Sequence, residues 1–303
     1  MKTEVSSQQS AVSEGRGVRS ILYPLLALAS AAAALGQETK TNAPAALPTV
    51  VVTATRTEEP VDKTAASVTV LTHADLAQQN LTSLADALDT VAGLAVLRNG
   101  TPGQPTSVFS RGSKNSHTLL VVDGRRVPAM LAGGYDWSNL DLVGVERIEV
   151  LRSANSARDG GDAIGGVVNV RTFSGRGLAR PVHEVSAEGG SFSTFRESLT
   201  SRGAAGKFDY AVSASRFDAA FPRDNNDQRL TSFRGGVGYE FTPELYADFK
   251  TTYAQADGGT PGGTSFPSVD DHLKRESTQV SPGLVWTPSE TVDSRLYYAL
   301  ENQ

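Results

Sequence analysis

Acidic side chains gathered in two Gly- and Pro-rich stretches are the residues of this chain best suited to chemistry. Asp224-Asn225-Asn226-Asp227 forms one group, and Asp257 with Asp270-Asp271 forms the other. Clustered oxygen donors are the ligand type taken by a hard cation such as calcium. The competing reading is that acidic loops of this composition only keep a surface soluble. The four histidines, His73, His117, His183 and His272, are scattered and show no ligand spacing. No cysteine occurs in the 303 residues, which removes disulfides, thiolate metal sites, cysteine catalysis and lipid attachment through an N-terminal cysteine. There is no Gly-x-Ser-x-Gly elbow and no His-Glu-x-x-His pair, and Gly206-Lys207 runs into Phe208 at the wrong spacing for a phosphate loop. The chain therefore reads as a non-enzyme. Its net charge of −5, with no basic stripe, gives no reason to expect nucleic-acid binding.

The elements that would position these residues begin with a leader. Arg16 and Arg19, the apolar stretch from Ile21 to Leu35, and Ala34-Leu35-Gly36 before Gln37 read as a secretory signal over residues 1–36, cleaved after Gly36. The apolar stretch is shorter than the ~18 residues a membrane anchor needs. Residues 37–48 are a polar linker with Pro44 and Pro48. Then comes Thr49-Val50-Val51-Val52-Thr53-Ala54, a run of strand-forming residues with no obvious partner. An edge of this kind is either a liability or a docking peptide for strand addition.

Residues 55–175 read as a small α+β globule. Thr72 with Asp75 resembles a capping box that opens a helix, and Ser83 precedes an i, i+4, i+7 stripe of Leu84, Leu88 and Val91, with Gly93 at the stop. Thr118 to Val122 ends in Asp123-Gly124 as a hairpin would, Val145 to Leu151 alternates, and Gly165-Gly166 precedes a final strand. From residue 181 to 303 the texture changes to long two-residue alternation. Phe208, Tyr210, Val212 and Ala214 share a face, as do Phe233, Val237, Tyr239 and Phe241, then Leu245, Ala247, Phe249 and Tyr253, then Leu296, Tyr298 and Leu300. About seven strands of roughly 10 residues, with aromatics near their ends, form the transmembrane β-strand signature. A soluble β-sandwich gives the same alternation. Short turns such as Thr242-Pro243 and Pro288-Ser289, set against loops from Asp218 to Arg229 and Asp257 to Ser277, fit an outer-membrane barrel better.

These residues resemble the TonB-dependent outer-membrane receptors, and within them the cobalamin receptor branch. The resemblance starts at Thr49 to Ala54, which is similar to the family's TonB box. It runs through Asn99-Gly100-Thr101-Pro102-Gly103-Gln104, Ser110-Arg111-Gly112-Ser113, Asn115 to Gly124, Val145 to Arg152 and Asp162-Ala163-Ile164-Gly165-Gly166. The segment 153–161 departs from the family pattern, which carries a Tyr-Gly-Ser turn there and often a Gly-Pro after the position of Arg152.

The resemblance implies an α+β plug domain inside an antiparallel transmembrane β-barrel of 22 strands in the bacterial outer membrane. Seven strands are too few to enclose a plug, so on that basis the chain is expected to be a truncated or split receptor. The implied function is energised import of cobalamin, with a ferric siderophore as the alternative substrate of the same family and a passive porin-like barrel as a more distant reading. The implied partner is the inner-membrane TonB protein, adding a strand to the box. Arg111 and Arg152 match positions where related plugs pair with acidic wall residues, and solvated surface arginines are the alternative. Gly103, Gln104 and Tyr135 lie in the loops that would meet substrate. In cobalamin receptors aspartates of two outer loops bind calcium, which implies that role for Asp224, Asp227, Asp257, Asp270 and Asp271.

Overall fold

The computed structural model of the chain describes residues 50–51, 59–60, 67–100, 103–127, 134–152, 160–289 and 292–302, all within the unit 48–303. The leader, the linker, Thr49, Val52, Thr53, Ala54 and the divergent segment 153–159 lie outside the described residues. The first element is β1 (Val50–Val51), paired antiparallel with β2 (Glu59–Pro60). The described part of the box-like run thus has a backbone partner within its own chain, contrary to its reading as an unpartnered strand.

The plug follows. It comprises β3 (Val68–Thr72), α1 (His73–Gln78), α2 (Leu84–Asp89), β4 (Leu94–Arg98), β5 (Thr106–Ser110), β6 (Thr118–Val122), β7 (Arg125–Arg126), β8 (Val145–Leu151) and β9 (Gly166–Thr172). The capping box forms as its sequence demands: the Asp75 amide donates to Thr72 Oγ1 at 3.3 Å, and the Thr72 amide donates to Asp75 Oδ2 at 2.8 Å. Ser83 caps α2 through its side chain, Oγ accepting the Asp86 amide at 3.1 Å. Leu84, Leu88 and Val91 are buried, so the predicted stripe faces the core. The five-stranded sheet has the order β3-β8-β9-β6-β7, with β6 and β9 parallel and the other pairs antiparallel. Its core gathers Leu119, Leu120, Ile148, Val150, Val168 and Trp137, all at most 1% exposed. The indole N–H of Trp137 donates to Asn115 Oδ1 at 2.8 Å, which is what allows a polar-tipped ring to be fully buried.

The β4–β5 hairpin was not foreseen. Gly100, Pro102, Gly103 and Pro105 read as punctuation and hid the pairing of Leu94 to Arg98 with Thr106 to Ser110. Strand β8 differs too. Its alternation suggested one buried and one open face, yet Glu149 is as buried as Ile148, taking hydrogen bonds from Arg147 Nε at 2.8 Å and Asn169 Nδ2 at 3.0 Å.

The second half is a wall of antiparallel strands, each paired with the next. These are β10 (Val182–Gly190), β11 (Thr194–Ala205), β12 (Phe208–Ala220), β13 (Asp227–Thr242) and β14 (Leu245–Gly259). A two-residue hairpin, β15 (Gly262–Gly263) with β16 (Phe266–Pro267), interrupts the chain before β17 (His272–Ser289). β18 (Val292–Tyr297) and β19 (Leu300–Asn302) both pair with β17 and share one track, so among the described residues the wall has seven tracks, against about seven strands expected. The strands are longer than foreseen: β12 to β14 and β17 run for 13 to 18 residues. Pairing continues through Arg229 with Asp257 and Asp257 with Lys274. Residues assigned to loops therefore lie on strands, and the connections shrink to 221–226 and 260–271.

Register sets the two faces. Leu199, Ala214, Phe233 and Tyr253 stand side by side across β11 to β14; further along the same strands, Phe208, Tyr239 and Ala247 do so. These rows carry exposed apolar residues such as Phe208 (44%) and Tyr239 (45%), and Trp286 (50%) stands on β17 two positions beyond Leu284, the partner of Ala247. Large apolar side chains left exposed in rows along one sheet face match the lipid-facing band of a membrane barrel, and the aromatic groups near the short-turn end match its interfacial girdle. The alternate residues are polar, with Asp209, Ser213, Ser232 and Ser281 buried, because the plug packs on that side.

Candidate functional site

The inner face of the wall meets the plug through charges contributed by turns. At the tip between β6 and β7, Asp123 (φ 51°) and Gly124 (φ 80°) form the left-handed pair of a two-residue hairpin. A side chain at Gly124 would press its Cβ to within 3.1 Å of the Tyr297 ring, so glycine serves both the turn and the close approach. The tip delivers Arg125 to the wall, where Nη2 donates to both carboxylate oxygens of Asp248, at 3.2 and 3.1 Å, and to the Ser281 carbonyl at 3.4 Å. The guanidinium also lies 4.6 Å from the centre of the Tyr297 ring. The Arg125 and Asp248 side chains are only 4% and 9% exposed.

Asp123 reaches the wall in the opposite sense. Its carboxylate takes Lys250 Nζ at 2.7 Å and the Thr172 amide at 2.9 Å. Burial alone would push its pKa up, but Lys250, Arg171 and the hydrogen bonds outweigh this and hold it at about 2. A carboxylate lowered in this way stabilises the folded state above the unfolded value of about 3.9, and the contribution is lost as pH falls toward 2. Melting temperature in detergent should therefore hold down to about pH 4 and then fall, with roughly 2 kcal/mol lost through this group. Lys250→Met should raise the folded-state pKa of Asp123 toward the unfolded one and so shrink this acid-dependent loss; an unchanged acid profile would refute the assignment.

A third contact centres on Asp141, which is 3% exposed. Ser215 and Ser232 on the wall donate to its carboxylate, as does Arg234 Nη1. Arg234 also donates to the Asp141 carbonyl at 3.1 Å and the Val143 carbonyl at 2.6 Å. The carboxyl pKa is lowered: burial raises it, but Arg234 and the two serines lower it more. Gly144, at φ 78°, packs where any Cβ would collide with Ser213. At the outer end, Arg275 Nη1 lies 2.6 Å from Asp136 Oδ2.

None of these wall contacts was foreseen. Arg111 is exposed, at φ 49°, and no described residue pairs with it ionically. Arg152 donates to the Ala92 carbonyl of the plug itself. Among the described residues, Arg125, Asp123, Asp141 and Asp136 make plug-to-wall ion pairs, and His73 lies 3.5 Å from Glu184. The nearest signal in the sequence was Asp123-Gly124-Arg125 at a hairpin tip.

The expected substrate loops divide. Tyr135 is 6% exposed and packs edge-on to Trp137 at 5.6 Å, and burial raises the pKa of its phenol. It is a core residue in this conformation. Gln104 is buried and donates to the Gly259 carbonyl at 2.9 Å, while Gly103 (φ 90°) abuts the Gln228 side chain. Both therefore hold the plug to the outer end of the wall. Among the described residues no three acidic or histidine side chains gather as a cation site. The physical reason is that strand extension fixes Asp227 and Asp257 on the sheet. Asp257 pairs with His272 at 3.7 Å, while Asp224, Asp270 and Asp271 stay in the connections.

Comparison with known proteins fits this geometry. The family model for the TonB-dependent receptor plug domain matches residues 60–167. The vitamin B12 transporter BtuB of Vibrio vulnificus is 40% identical over 137 residues, covering 45% of this chain and 22% of that protein. BtuB of Photobacterium profundum is 38% identical over 142 residues, 47% of this chain and 23% of that protein. The match thus spans less than a quarter of the length of these curated relatives. Among solved structures, the ferripyoverdine receptor of the outer membrane of Pseudomonas aeruginosa aligns with a TM-score of 0.69 at 18% identity, over 78% of this chain and 34% of that one. The alcaligin outer-membrane receptor FauA of Bordetella pertussis aligns with a TM-score of 0.69 at 20% identity, over 83% and 41%. At these identities the two structures establish the fold alone.

Proposed function

Taking as premise that the chain is a TonB-dependent outer-membrane receptor by its plug and its wall, we propose that it serves the active import of cobalamin. The observation that carries this reading is the 40% identity over 137 residues to a vitamin B12 transporter. A ferric siderophore is the second reading, favoured by the fold neighbours, which are ferripyoverdine and alcaligin receptors. No chemical step is required of the protein. Substrate held at the outer mouth would be admitted when an energised partner, the inner-membrane TonB protein, engages the box-like run Thr49 to Ala54. Strand addition suits this run because main-chain bonds supply the affinity and the sequence already favours extended chain. Val50 and Val51 are paired with Glu59 and Pro60, so the partner takes their free edge or replaces that pairing.

The test is binding and uptake in cells carrying the full receptor. Cyanocobalamin should bind and accumulate, with ferric siderophores failing to compete; competition in the reverse sense would select the second reading. Deleting 49–54 should abolish accumulation and leave binding intact. Uptake unaffected by the deletion would show a passive pore.

A further inference from the structure

We propose that Arg275 is a positioning residue of the outer mouth, holding the apical turns of the plug against the wall so that the surface those turns present to a ligand keeps its shape. The ligand part rests on the receptor reading above; the clamp does not. Arg275 lies on β17 opposite Ala256 of β14. Its Nη1 lies 2.6 Å from Asp136 Oδ2 and donates to Ser138 Oγ at 3.4 Å. The other Asp136 oxygen accepts the amides of Thr106 at 3.0 Å and Ser138 at 3.1 Å. One carboxylate therefore ties together the start of β5, the 3-10 turn Trp137–Asn139 and the wall.

The bonds continue. Thr106 Oγ1 donates to the Gln104 carbonyl at 2.9 Å, and Gln104 Nε2 donates to the Gly259 carbonyl at 2.9 Å. The circuit thus leaves the wall at Arg275 on β17 and returns to it at the last residue of β14. The connection 260–271 joins these same two strands, so the apical turns and that outer loop share one set of bonds. A displacement of either is transmitted to the other through Asp136.

The cleft bordered by this circuit is lined by Gly103, Gln104, Gln228, Asp257, Leu273 and Arg275, among others. The space is only about 10 Å³, room for a single water, so it is a seam between plug and wall and a ligand would lie over it, on the turns the seam holds. Gln228 is 7% exposed, and its Oε1 accepts no hydrogen bond from the described residues. A water in that space would supply the missing donor.

Hydrogen exchange and ligand affinity, measured on the full receptor purified from outer membranes, test this. In Arg275→Gln the Thr106 and Ser138 amides should exchange about tenfold faster, and cyanocobalamin should bind about tenfold more weakly, as expected when a partly buried ion pair is lost. The Leu119 and Leu120 amides, inside the plug sheet, should not change. Arg275→Lys, which keeps the charge, should restore most of the protection and affinity. Unchanged exchange at Thr106 and Ser138 overturns the clamp. Faster exchange with unchanged affinity overturns its link to the ligand. If the wild-type receptor binds no cyanocobalamin, the exchange measurement still decides the clamp, and a ferric siderophore becomes the affinity probe.

Discussion

Arg125→Met should loosen the plug from the wall by about 3 kcal/mol, roughly a hundredfold in the docking equilibrium. The substitution keeps an apolar stem beside Tyr297 but leaves Asp248 buried, at 9% exposure, without its cation. An uncompensated buried charge is the reason for the size of the effect, because the desolvation cost remains after the attraction is gone. The neighbouring Arg126 is the control. It pairs with Asp162 at 2.9 Å, but both side chains are more than half exposed, and exposed pairs contribute about 0–1 kcal/mol. Arg126→Met should therefore change little. The measurement is plug release followed by protease accessibility in increasing urea. Equal midpoints for the two variants would show that the Arg125 contact does not hold the plug.

Two adjacent arginines with such different expected effects show where sequence reading stops. The Asp-Gly turn was legible, because the left-handed conformation at both positions is written in the residue types. What the turn carries was not, since Arg125 acquires its meaning from Asp248, 123 residues further along the chain. The same division runs through the molecule. The outward rows of the wall could be read because lipid selects apolar residues at every second position. The inward rows carry Asp209, Ser213, Arg234, Asp248 and Lys250, whose alternation shows only that they are polar. Asp227 and Asp257 looked like loop ligands because the sequence does not mark where cross-strand pairing ends. Tyr135 looked like a lone aromatic in a turn, and only the packing of Trp137 shows it to be core.

Asp141→Ala is expected to have a comparable or larger effect, about 3–5 kcal/mol. Asp141 is joined to β12 and β13 at once, through Ser215, Ser232 and Arg234, and its loss leaves Arg234 with a 13% exposed side chain and no carboxylate. Asp141→Asn keeps the shape and one acceptor oxygen, so its cost should be smaller, about 1–3 kcal/mol. Removing both charges separates the two possible origins of the effect. If the penalty comes from the stranded guanidinium, Asp141→Leu combined with Arg234→Met should be more stable than Asp141→Ala alone, because two apolar side chains leave no ion unpaired. If it comes instead from the lost tie between plug and wall, the double variant should be no better, and plug amides should exchange faster while the wall strands stay protected. Thermal melting gives the first comparison and hydrogen exchange the second. A plug whose melting and exchange are unchanged in Asp141→Ala would show that the plug is held elsewhere on the wall.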